Sequence, residues 1–496
     1  DLADNAVTIA KMASLARGKI IYGDSAGDPA ALALGSNGTV LKSDGTDISW
    51  GTISAGATHI EEGTNFTDSI LISPNASTGT LSSATNNTGL GDSVFAALTS
   101  GINNVSIGAD SLKGLTSGSS NVGVGFAALE ANTTGSNNTA VGFTALLSNT
   151  TGHSNTALGT NAMAATTTAT YTTGIGMNAF QSNTTGDGVA VGAFALNANT
   201  TGSLNVAVGV NAMRFNTTGT KNTAVGYYAL GVNTTGYENV AMGRVALDAN
   251  TTGYANVAIG ESSLTTNTTG YRNTAVGQNT LAACSTGLEN TAVGQNALND
   301  LTTGSYNVAV GQNALATLST GSSNVCMGVN AGDAITTPAY NTCIGHLAGS
   351  AITVGGGNTC IGANAGDALN GSNGKWNTCV GWGALGSATA VFQNTAVGQG
   401  CLSSNNNHGN TGVGAKCLED NTGGGGSNGF GYFALNKVTS GDDNCAFGTS
   451  AGGSITTGDN NICIGNSAGN DALAGVTTSS NQIILGNNSS TNFECK

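Results

Sequence analysis

Charge is scarce in this chain. Asp, Glu, Lys and Arg make up 8% of its 496 residues, against roughly a quarter in an average soluble domain. Aromatic residues are 5%, and there are three prolines. So little charge argues against charge-driven disorder, and so little proline against a proline-rich linker. The charge present sums to -14, which speaks against nucleic acid and against anionic membrane surfaces as partners. No apolar run approaches the roughly 20 residues of a membrane helix, so no membrane insertion is expected. No secretory signal is visible. Residue 1 is Asp rather than Met, as in a fragment or a processed product. Catalytic constellations are missing too. Asp and Glu scatter over variable positions, the four histidines (His59, His153, His346, His408) share no common spacing, and no GGxGxD calcium array occurs. With 77 glycines, chance matches to glycine-rich nucleotide loops carry no weight outside a strand–helix context. The expectation is a non-enzyme with no cofactor and no metal.

What the chain does contain is repetition, which outranks other sequence signals. "NTAVGYYALGVNTTGYE" at 222–238 is followed by "NVAMGRVALDANTTGYA" and "NVAIGESSLTTNTTGYR". The Gly closing the first phrase recurs every 17 residues, as at Gly209, Gly226, Gly243, Gly260, Gly277, Gly294 and Gly311. From Gly91 to Gly465 there are 23 copies, with steps of 16 at Gly192 and Gly414 and one of 19 at Gly381. The consensus is Asn-Thr-Ala-Val-Gly-x-x-Ala-Leu-x-x-Asn-Thr-Thr-Gly-x-x, numbered below as positions 1 to 17.

Two glycines, an Asn-Thr-Thr-Gly turn and β-branched residues in every 17 disfavour a helix. Positions 1–5 alternate as a strand does. A second extended piece is expected at positions 7–9, with Asn-Thr-Thr-Gly turning the chain and its Gly supplying positive φ. Stacking such coils as a parallel β-solenoid (a β-roll of about 23 coils at about 4.8 Å each) predicts a rod roughly 110 Å long. Asn at positions 1 and 12 then forms amide ladders along the stack; the repeated Asn-x-Thr reads as turn chemistry rather than as glycan acceptors. Positions 2, 4 and 9 are expected to fill the interior. That leaves Ala and Gly at positions 3, 5 and 8 as a second surface, sealed by sister chains. Self-association along the whole length follows, intertwined or side by side, with three chains as the favoured number.

Cysteine fits the pattern. Cys326, Cys343, Cys360, Cys379 and Cys463 stand at position 3, and Cys401 and Cys417 at position 8, all in place of Ala. Cys445 is at position 2, Cys284 at position 12 and Cys495 near the end. Their spacing is the repeat period rather than a metal-ligand spacing, so they read as free, slightly larger alanines in a reducing compartment. Aromatics also align: Tyr237, Tyr254 and Tyr271 share position 16, and Phe126 and Phe143 share position 6. Trp376 and Trp382 flank the 19-residue step. These are the candidate surface-contact residues, weighed against simple self-stacking at the coil edge.

"NTAVGxxAL", "NVAIGESSL" and "NTCIGANAG" resemble the head repeats of trimeric adhesins, which carry a similar phrase on a shorter period. They resemble more closely the long repeat regions of bacteriophage tail and side fibres. Residues 18–51, "GKIIYGDSAGDPAALALGSNGTVLKSDGTDISWG", resemble a module near the N-terminal side of such fibre shafts. Residues 481–496, "NQIILGNNSSTNFECK", resemble the segment before the self-cleaving chaperone domain of tailspikes and fibres, implying a cleaved or truncated chain, although the family's Ser-Asp cleavage motif is absent. The resemblance implies a homotrimeric structural fibre of a virion, assembled in the host cytoplasm. Its implied partners are other tail or baseplate proteins and a host-surface polysaccharide or protein. The alternative is a bacterial surface adhesin, and a remote one is an ice-binding solenoid, prompted by the threonine rows. The expected organisation is an attachment module at 1–57, a transition at 58–86, the repeat shaft at 87–470 and an end segment at 471–496. Within the first module, 35–51 reads as a hairpin turning at Asp44-Gly45, while 1–19 reads as a short helix or an extended segment.

Overall fold

A computed structural model describes residues 20–23, 29–32, 39–43, 48–52, 58–60, 69–73, 78–470 and 477–487. It divides into two compact units, Asp1–Thr170 and Tyr171–Lys496. All regular structure among the described residues is β. In the first unit, β1 (Ile20–Gly23) pairs antiparallel with β2 (Pro29–Leu32). Likewise β3 (Thr39–Ser43) pairs antiparallel with β4 (Ile48–Thr52). That is the expected hairpin; its turn at 44–47 lies outside the described residues, as do 1–19 and 488–496. Next, β5 (Thr58–Ile60) pairs antiparallel with β6 (Ile70–Ser73). From β6 onward the pairing is parallel, strand on next strand, through Thr88–Leu90, Val105–Ile107, Val122–Val124, Thr139–Val141 and Thr156–Leu158. The second unit repeats the same coil from Thr173–Ile175 to Ile483–Leu485. Parallel β-solenoid turns with a 17-residue period thus begin inside the 58–86 stretch and reach into 471–496.

Register is one-to-one. Thr274 lies beside Thr291, Ala275 beside Ala292, and Val276 beside Val293. Each coil has one strand at positions 2–4, extended to position 1 at Gly188–Val191 and Asn205–Val208. The second expected strand is absent: positions 6–11 form a continuous turn. In the coil of Gly226, Tyr228, Leu230 and Glu238 have φ of 57°, 53° and 58°. These are left-handed conformations at positions 7, 9 and 17, where a non-Gly residue costs of order 1 kcal/mol. Backbone bonds between coils hold them there: Tyr228 N–H donates to Val210 O, Leu230 to Ala246 O, and Glu238 to Thr220 O. The frequent Asn at position 7 (Asn279, Asn296, Asn313, Asn330) suits that conformation.

Positive φ also corrects the reading of the glycines. It falls on the position-5 column, where Gly209, Gly226, Gly243, Gly260, Gly277, Gly294 and Gly311 have φ between 128° and 140°. A Cβ on Gly243 would stand 2.5 Å from Gly260 O. The Gly of Asn-Thr-Thr-Gly serves close approach instead: at Gly236 a Cβ would collide with Gly253 O and with Asn233 Oδ1.

The interior too differs from expectation. Positions 3, 8, 9 and 12 fill it, as in Ala224, Ala229, Leu230 and Asn233, all fully buried. Positions 2 and 4 face outward. Strand alternation was legible in the sequence, but its sense was inverted. The reason is the width of the coil: with a turn rather than a second strand opposite, the cavity admits Ala at position 3 and Leu at position 9, not Val at position 4. The small residues are therefore sealed by their own chain.

Asn ladders run along the stack. Along most of the stack a position-1 Asn donates its Nδ2–H to the Oδ1 of the preceding coil's Asn and to a backbone carbonyl, usually of Gly, in its own coil. For Asn239 these acceptors are Asn222 Oδ1 at 3.1 Å and Gly253 O at 2.9 Å. Its own Oδ1 accepts from Asn256 N–H and Nδ2–H. The side-chain ladder runs unbroken from Asn205 to Asn394, and it crosses the 19-residue step through Asn377 to Asn358 at 3.1 Å. The two extra residues are therefore accommodated outside the column. A second ladder links position 12 through Asn183, Asn199, Asn216, Asn233, Asn250 and Asn267. These Asn are fully buried, in keeping with turn chemistry rather than glycan acceptance. The Thr that follows donates its hydroxyl to the next coil's carbonyl, as Thr217 does to Thr234 O.

Candidate contact surfaces

The strand face turned outward bears positions 2 and 4. Position 4 is Leu, Ile, Val, Met or Phe throughout, and position 2 is Thr or Val with few exceptions; neither column contains Asp, Glu, Lys or Arg. Side chains along it are open to solvent: Leu158 is 46% exposed, Met242 42%, Met327 42% and Phe447 59%. Exposed apolar side chains repeated along one uncharged face make it a candidate contact face. The sequence contained this signal, but it was assigned to the interior.

The tyrosine stripe forms as the spacing implied. Tyr237 stacks on Tyr254 at 4.9 Å and Tyr254 on Tyr271 at 4.8 Å between ring centroids, each pair within 4° of parallel. Beside it at position 17, Lys221 pairs with Glu238 and Arg272 with Glu289, each at 3.1 Å, and Arg244 pairs with Glu261 at position 6. Exposed pairs of this kind are screened by solvent and contribute little to stability. Phe126 and Phe143 stack at 5.3 Å. The structure does not bring the two tryptophans together. Trp376 precedes Asn377 at position 17 and Trp382 follows Gly381 at position 6, at opposite ends of the strand Thr378–Val380. Each is 58% exposed. Lys375 Nζ lies 4.8 Å from the Trp376 ring centroid.

Two features escaped the sequence reading. His408 stacks on Phe392 at 3.8 Å and accepts the Phe392 N–H at Nδ1. More prominent is a groove of about 390 Å³ beside Trp382, lined among others by Asn364, Asp367, Gln399, Lys416 and Glu419. It opens because Gly383 and Gly400 replace the side chain usual at position 7, and a Cβ at Gly383 would meet nothing within 4 Å. Lys416 Nζ and Glu419 Oε1 pair at 3.1 Å across it. Asn364 Oδ1 and Asp367 Oδ1 are buried without a hydrogen-bond partner, and burial raises the Asp367 pKa above its ordinary value. The substitution of Gly at position 7 in consecutive coils was the signal that would have found it.

Among the described residues the cysteines are free thiols, and all but the half-buried Cys445 at outward-facing position 2 are buried inside the coils. Cys326, Cys343, Cys360 and Cys379 stand in register on adjacent strands, fully buried. Burial raises the pKa of Cys326, and hydrogen bonding to Cys343 together with burial raises that of Cys360. Cys284 is pushed up to about 11 by burial. Among the described residues no three His, Cys, Asp or Glu converge as a metal site, and no helix is long and apolar enough to cross a membrane. No protein-family model, curated protein or solved structure matches the chain.

Proposed function

We propose that the chain is a structural fibre of a bacteriophage virion, a homotrimer that presents contact surfaces to a host. The observation carrying this reading is the uncharged, exposed β-face of positions 2 and 4, repeated in register on coil after coil. A face without a single ionised group, on a chain of net charge -14, is suited to self-association along its length. The earlier rationale, an outward Ala/Gly surface, is replaced by this one. Ladders and apolar columns supply a stiff, inert scaffold. Three copies multiply weak contacts by avidity, and tail or baseplate proteins are the proposed attachment partners.

Native mass spectrometry tests the assembly: a particle of three 48.4 kDa chains is expected, and a monomer at micromolar concentration overturns it. Val276→Lys with Val293→Lys should dissociate the trimer while leaving the coil folded, because both side chains point outward. Immunogold labelling with antibody to the chain tests its location. Gold on phage tail fibres supports the reading, and gold on the bacterial envelope supports the adhesin instead.

A further inference from the structure

We propose that the groove beside Trp382 binds one ring of a neutral saccharide, stacking it on the indole and hydrogen-bonding its hydroxyls to Asn364 and Asp367. This deepens the host-contact reading and rests on it only for the source of the sugar. The volume of about 390 Å³ is on the scale of a small ligand pocket. Its lining combines what a pyranose needs. Trp382 offers a flat apolar face, 58% exposed, to the C–H face of a ring. Asn364 and Asp367 line the groove with an amide and a carboxylate, groups that pair with sugar hydroxyls. Gln399, Ser387 and Ser403 add groups that both donate and accept.

The charge balance selects a neutral ring. Lys416 is already paired with Glu419 at 3.1 Å, so no free cation awaits an anionic sugar, and the Asp367 carboxylate opposes one. The floor is open for backbone reasons. Gly383 and Gly400 hold φ of 60° and 59°, the conformation that Asn adopts at position 7 elsewhere. Restoring Asn at both therefore fills the groove while suiting the backbone.

Saturation-transfer NMR of the full chain tests this, with the methyl glycosides of glucose, galactose, mannose, rhamnose and N-acetylglucosamine as probes. At least one probe is expected to receive saturation at millimolar concentration. Trp382→Ala should weaken that binding about tenfold, Gly383→Asn with Gly400→Asn should abolish it, and Trp376→Ala should leave it unchanged. Thermal melts of each variant check that the coil is intact. No transfer to any probe, or transfer that survives the double Asn variant, overturns the proposal. Immunogold labelling separates the two readings. Fibre labelling with no glycoside binding removes the saccharide site alone. Groove-dependent binding with gold on the bacterial envelope removes the phage fibre alone.

Discussion

Residues 183–267 and 326–369 build the same coil around different interiors. In the first stretch position 3 is Ala, position 9 is Leu or Met, and position 12 is a laddered Asn. In the second these are Cys, Gly and Ile or Leu: Cys326, Gly332 and Ile335; Cys343, Gly349 and Ile352; Cys360, Gly366 and Leu369. Strand register and the position-1 ladder are the same in both. The coil is thus a container of fixed volume, and three positions exchange bulk within it. A Cβ on Gly349 would stand 2.6 Å from Cys343 Sγ and 2.9 Å from Ile352 Cδ1, so sulfur and Ile methyl occupy the space of the missing Leu. The same trade recurs at Gly89, which makes room for Phe95, and at Gly412, whose neighbour is Cys401 Sγ. Close packing makes such compensation obligatory.

The shared element should be the most sensitive. Asn239→Ala in one stretch and Asn341→Ala in the other each remove two donated bonds and strand the next coil's amide. Each should cost about 4 kcal/mol, because several buried polar groups lose partners at once. Denaturant unfolding that gives clearly unequal losses would mean that the two stretches do not share a ladder energetically. Next in size is Gly349→Leu, which restores the common residue in the wrong context and should cost about 3 kcal/mol by overpacking. Adding Cys343→Ala and Ile352→Asn should recover most of it; no recovery would refute the fixed container.

Cys284→Asn should move the opposite way. Asn267 Oδ1, the last acceptor of its ladder, is buried without a partner. An Asn at 284 supplies the donor but inherits the orphaned oxygen, so the gain is limited to about 1 kcal/mol. A lower melting temperature would contradict this. Smallest are Asp248→Asn and Asp333→Asn at position 10, one in each stretch. Burial raises both pKa values, so folding favours the neutral acid. The penalty is absent below the ordinary aspartate value near about 3.9 and grows as pH rises through the raised one. Both variants should stabilise at pH 7, by ~0.3 kcal/mol after solvent screening, and not at pH 3. A gain of equal size at pH 3 would assign the effect to something other than charge.

The period, the parallel stacking, both Asn ladders, the buried thiols and the Tyr237–Tyr254–Tyr271 stripe were legible because each is a column, and a column is a spacing. The facing of the strand was not. Alternation states that Ala224 and Val225 point opposite ways, but only the width of the coil decides which is inside. That width depended on positions 7–9, where Tyr228 and Leu230 adopt left-handed φ, a conformation that propensity argues against in Tyr and Leu. The Trp382 groove was hidden for another reason: it is made by absences at Gly383 and Gly400, and in a glycine-rich chain a missing side chain is inconspicuous.

From Asn222 to Asn394 the position-1 side-chain amides donate toward the coil that precedes them in the chain. Each finished turn therefore leaves an Asn side-chain oxygen waiting on its C-terminal rim, and the next turn's position-1 side-chain amide needs no coil further along to satisfy it. The protein can be laid down in the order in which it is translated, every new layer templated by the last. A solenoid with this vectorial growth rule does not have to search for its register from both ends.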